Sequence, residues 1–136
     1  IDADPAMVEA IARGAAKASV YVMANPDCAR RIHWSRYPNS KPSGVDDATA
    51  ARYDMNNMKG QLDSMNDAYA LNGGKLWGNA TAEAYSRIQD FMLEAKLIEK
   101  TLPPATYLPT LSGFFDKINA FDAAAIRASA ANCPVK

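Results

Sequence analysis

Cys28 and His33 stand five residues apart, and they are the first residues in this chain whose chemistry invites a question. A zinc site needs a second Cys-His pair, and His33 is the sole histidine, so the metal reading fails for want of ligands. The same scarcity removes a Ser-His-Asp triad, because no serine sits in a nucleophile-elbow motif. Cys28 falls near Arg30 and Arg31 in the first turn of an expected helix, a setting that can lower a thiol pKa. Its other readings are a buried thiol or a bond to Cys133, which would close a loop of about 105 residues and add ~4–5 kcal/mol in the chain-entropy model. Spacing does not choose among them, since bonding depends on how the two Cβ atoms approach.

Other groupings are weaker. Gly73-Gly74-Lys75 looks like the end of a phosphate loop, but Tyr69 replaces the first glycine and Leu76 the hydroxyl residue. A helix end explains the glycines. Arg30, Arg31, Arg36 and Lys41 interleave with His33, Trp34 and Tyr37, a mixture that could hold anions or stack bases. A solvated helix face with inward aromatics is the favoured account. Asn79-Ala80-Thr81 is a glycosylation sequon in which Thr81 also serves as a helix cap. Met55, Met58 and Met65 could suggest a soft binding surface, yet their spacing is that of a packed helix. No catalytic site and no cofactor or metal site emerges, so the expectation is a protein without enzymatic activity.

The elements that would carry these residues are helices. Ala51, Met55, Met58, Leu62, Met65 and Tyr69 recur at spacings of 4, 3, 4, 3 and 4. At helical periodicity they fall within an arc of roughly 80°. The expected helix covers residues 46–74, from Asp46 or Asp47 to Asn72-Gly73-Gly74, with Gly60 opposite the stripe. Upstream, Asp4-Pro5 opens a helix with Val8, Ile11, Ala12, Ala15, Ser19 and Val22 on one face. Asn25-Pro26 ends it and starts a second, which runs to Tyr37-Pro38; a turn-rich loop follows at 39–44. Downstream, Thr81 caps a helix whose apolar stripe holds Ala84, Tyr85, Ile88, Phe91, Met92, Ala95 and Ile98. Pro103-Pro104 and Pro109 impose an extended stretch before two short helices, at 114–119 and 122–130. No run alternates as a strand does.

With 136 residues and 49% hydrophobic side chains, the chain has the size and composition of one globular domain. Fifteen basic and fifteen acidic residues cancel, which disfavours nucleic acid or an anionic membrane held by bulk charge. The first residue is Ile1, with no leader ahead of Asp4-Pro5, so the expectation is a piece of a larger protein. The fold expected is all-α: five to seven helices with one long central helix, forming a single helical domain or fragment over 1–136.

Asn25-Pro26-Asp27 followed by Ile32, Trp34, Tyr37-Pro38 and Lys41-Pro42 resembles the periplasmic substrate-binding proteins of ABC importers for nitrate, sulfonates and thiamine-pyrimidine precursors. Similar matches continue at Trp77-Gly78, Asp90, Met92, Leu97-Ile98, Ile118-Asn119 and Phe121-Asp122. The resemblance spans about residue 5 to 130. It implies a periplasmic, or extracytoplasmic and membrane-anchored, receptor that captures a small solute and delivers it to an ABC permease.

Family members fold as two α/β lobes around a cleft, and this chain resembles their helical C-terminal portion, without the strands or the glycine-containing ligand loops. Trp34, Tyr37 and Trp77 are candidates for contacts at the edge of such a cleft, with packing inside the chain as the favoured reading of all three. The isolated chain is expected to bind solute negligibly. The alternative is an autonomous interaction module, or a homodimer of the fragment, pairing through the 46–74 helix.

Overall fold

Every α-helix but one begins where a short polar side chain satisfies the first free backbone donors; the exception, Phe114–Ile118, follows Gly113 with no side-chain cap. Helix α1, Pro5–Ala24, starts with Asp4 accepting from the Met7 N–H at 2.9 Å. Helix α2, Pro26–Arg36, starts with Asn25 accepting from the Cys28 N–H at 3.0 Å. Asn25 also closes α1, its own N–H bonding to Tyr21, and its amide donates to the Ala130 carbonyl at 2.9 Å. One side chain thus fixes the α1–α2 corner and ties it to the far end of the chain. Asp46 caps α3, Asp47–Leu71, accepting from the backbone and hydroxyl of Thr49. Thr81 caps α4, Ala82–Glu94, and Asp122 caps α6, Ala123–Ala131; between them lies α5, Phe114–Ile118. Short 3-10 turns occur at Pro38–Ser40 and Pro104–Tyr107.

The computed structural model describes residues 4–71, 73–79 and 81–135, and among them there is no strand. The fold is all-α. Ile1, Asn72 and Ala80, which enter the sequence reading of the chain start, one helix end and the sequon, lie outside the described residues. Helix α3 ends in a double closure: the Gly73 N–H reaches Ala70 and the Gly74 N–H reaches Tyr69, both glycines having φ of 66°. The end of α4 repeats that pattern through Lys96 and Leu97, but Lys96 adopts φ of 57° with a side chain to accommodate. This closure stops α4 at Glu94, short of the end of its apolar stripe.

The long helix is central in the order of the chain; in packing the hub is α1, which meets α6, α5 and α2. Helix α3 packs on α2, and the chief neighbour of α4 is the 3-10 turn at Pro104–Tyr107. The buried apolar residues are Ala16, Val20, Cys28, Ala50, Ile118 and Ala130, mostly small, so helices approach closely but bury little area each. The face of α1 differs from expectation. Ala16 and Val20 point inward with Ala12 beside them, whereas Ile11 is 67% exposed and Ala15 is exposed too. Docking of α5 and α6 selects the smaller residues, because only those let two backbones come near.

The α4 stripe is also corrected. Ala84, Ile88, Phe91 and Ala95 face outward, and the buried residue of α4 is the polar Gln89. Its amide donates to the Leu102 carbonyl at 3.1 Å and accepts from the Leu102 N–H at 2.6 Å, pairing with backbone as a strand would. On α3, the six apolar residues from Ala51 to Tyr69 are all half-buried, and Asn56, Asn57, Gln61, Asp63, Asn66 and Asp67 are exposed.

Candidate functional site

Two aromatic clusters hold the three residues singled out as ligand contacts, and the fold keeps them apart. The first forms where α2 meets α3. Two cations lie over the Trp34 ring, the Arg30 guanidinium 4.3 Å and the Lys41 ammonium 5.1 Å from its centre. Its indole N–H donates to Asp54 Oδ2 at 2.7 Å. Arg30, buried, donates to Asp27 Oδ1 through Nη2 at 2.6 Å and Nε at 3.2 Å. Arg31 Nε lies 3.0 Å from the other Asp27 oxygen, close enough for charge pairing though off the line of a hydrogen bond. Lys41 pairs with Asp47 at 2.6 Å. The Arg30 hydrogen bonds hold the Asp27 carboxyl below its ordinary range, against a smaller opposing effect of burial.

The polar handles of this cluster are engaged within the chain. Cations over an indole add attraction at its face, and the Trp34–Asp54 hydrogen bond ties α2 to α3. Tyr37 stands at the edge of the cluster, exposed, its ring tilted against His33 at 5.2 Å.

The second cluster centres on Trp77, in the connection after α3. Its ring stacks on Tyr69 at 4.3 Å and 5° between planes. Asn119 holds the Trp77 backbone from both sides, accepting from its N–H at 2.8 Å and donating to its carbonyl at 3.0 Å. Three hollows open around this indole. One of about 290 Å³ lies toward Met65 and Leu76, one of about 260 Å³ toward Ala12 and Phe114, and one of about 190 Å³ toward Met23 and Arg127. Their walls are mainly apolar, with Ser19, Asn79 and Arg127 among the lining residues. Such a groove suits an apolar segment better than a solvated ion. Trp77 therefore does not share a site with Trp34 or Tyr37.

Cys28 and Cys133 are bonded, with Cα atoms 5.7 Å apart and a separation of 105 residues. Cys28 has no exposed surface and sits 3.2 Å from the Tyr21 hydroxyl. The reactive-thiol reading of Cys28 is thereby corrected: its sulfur is spent in a bond and sealed from solvent. The described residues contain no group of three or more His, Cys, Asp or Glu placed to share a metal ion. No helix among them is long and apolar enough to cross a membrane.

Sequence reasoning missed Gln89, Asn119 and Asp54 as fastening residues. Each belongs to a polar type usually left on the surface, and its partner is 13, 42 or 20 residues away, so no local pattern marks it. No protein-family model, curated protein or solved structure matches this chain.

Proposed function

We propose that this chain is the helical part of an extracytoplasmic solute-binding component of an ABC importer, capturing a small organic or anionic solute for a membrane permease. The observation that carries this reading is uncovered surface. The chain exposes 9331 Å² at 14.7 kDa, where a compact monomer of that mass exposes about 6,900 Å², a surplus of about 2,400 Å². The half-covered stripe of α3 and the apolar groove beside Trp77 are where a further part of the protein would rest. The buried disulfide suits an oxidising compartment outside the cytoplasm. The resemblance carried by Asn25-Pro26 through Lys41-Pro42, and by Trp77-Gly78, supports the choice of family.

On this reading the protein does no chemistry. Solute would be held by closure of two lobes, a hinge equilibrium shifted by contacts made only in the closed state. Trp34 and Tyr37 would border that cleft, while Trp77 supports the joint between helices and the remaining lobe. Calorimetry on this chain and on the product of the complete reading frame containing it provides the test, with nitrate, an alkanesulfonate and an aminopyrimidine as probes. Micromolar binding to one of them is expected for the complete product alone. The same affinity in the isolated chain, or no second lobe in the complete frame, refutes the reading.

A further inference from the structure

Helix α4 has two apolar faces with different fates. Tyr85, Gln89 and Met92 turn toward the following chain, where Tyr85 stacks on Tyr107 at 5.2 Å and Gln89 holds Leu102. Ala84, Ile88, Phe91 and Ala95, spaced 4, 3 and 4, form the other face. All four are exposed, Ile88 at 54% and Phe91 at 66%. That spacing is a coiled-coil seam, the pattern one helix presents to another.

We propose that two copies of the chain pair through this seam, α4 lying antiparallel to its counterpart about a twofold axis between Gln89 and Asp90. A twofold contact must be complementary to itself, and this seam is. Reflecting positions through its midpoint sets Ala84 against Ala95 of the second copy and Ile88 against Phe91, so small meets small and large meets large. Charge follows the same symmetry. Glu83, Arg87 and Glu94 share one flank of the helix, and like flanks meet in an antiparallel pair. Arg87 then lies beside the Glu94 of the other copy, and the axis makes that pair twice. Within one chain Arg87 pairs with Glu83, whereas no ion pair among the described residues uses Glu94.

The seam is separate from the α3 stripe assigned to the remainder of the protein, so this inference and the transport reading stand or fall independently.

Sedimentation velocity on the chain, from low micromolar to about 100 µM, tests the pairing. The expected species at the upper end has twice the 14.7 kDa chain mass. Arg87→Glu or Glu94→Arg alone should weaken association about tenfold, and combining them should recover most of it. Phe91→Asp should abolish it with helix content unchanged by circular dichroism. A monomer throughout overturns the inference, whichever other partner then claims the seam. So does a dimer indifferent to Phe91→Asp and Arg87→Glu, or one lost instead on Met58→Asp, which would give the contact to α3.

Discussion

Replacing both bonded cysteines, Cys28→Ala with Cys133→Ala, should lower the unfolding free energy by about 4.8 kcal/mol at 25 °C. The figure follows from the separation of 105 residues in the loop-entropy relation, which gives about 16 cal/mol/K of denatured-state entropy restored. Its share of the total is large here. Domains of this size are stable by about 5–15 kcal/mol, and the buried apolar residues are mainly alanines. Near the midpoint, unfolding entropy of about 2.1 cal/mol/K per residue turns this loss into a melting point lower by about 17 °C.

Urea titration followed by circular dichroism measures it, comparing the oxidised protein, the double variant and the protein in reductant. Reduction keeps both sulfur volumes, so it separates the entropy of the cross-link from any void left at Cys28, which has no exposed surface. The urea slope should also rise, because the unlinked denatured chain exposes more surface. A loss under about 1 kcal/mol in both cases would refute the argument that denatured-chain entropy dominates this bond.

Three further outcomes are expected. Gly60→Ala should raise stability by about 1 kcal/mol in thermal melts, since a Cβ there meets no atom within 4 Å and alanine favours the helix. Gln89→Leu should speed amide exchange across residues 100–108 by about ten- to a hundredfold, because the paired Leu102 backbone groups lose their partner at a cost of about 1–3 kcal/mol. Exchange mass spectrometry resolves that segment, and unchanged rates would deny Gln89 its clamping role. Asp27 has a folded-state pKa below its ordinary 3.8, so its pair with Arg30 stabilises fully above the unfolded value. That contribution drains as pH falls through the lower folded value. Asp27→Asn should therefore flatten the acid limb of stability against pH below about 4, leaving the neutral side with a constant deficit.

Local structure was legible because its causes are local. Asp4, Asn25, Asp46, Thr81 and Asp122 each accept from a backbone N–H three residues on, and Gly73-Gly74 closes α3 within five. A reader needs only a short window to see a donor, an acceptor and a break, and the all-α class follows from their succession. The stripe of α3 was legible as a face for the same reason. Periodicity says that a face exists; it does not say what covers it.

The choices left to tertiary structure concern which of two equivalent surfaces turns inward and which distant groups meet. Ile11 and Phe91 are as apolar as any core residue, yet both are exposed, because close packing of α1 on α6 rewards small side chains and α4 spends its inner face on Gln89. Trp34 and Arg30 meet within one helix, but the pairing of the Trp34 indole N–H with Asp54, 20 residues on, is set only by how α2 lies on α3. Cys28 meets Cys133 across 105 residues where α6 docks on α1 and the Asn25 amide donates to the Ala130 carbonyl, a meeting no local pattern marks. Caps and breaks act over one helical turn, so composition and spacing decide them. Burial is a competition among all surfaces at once, and only the assembled chain resolves it.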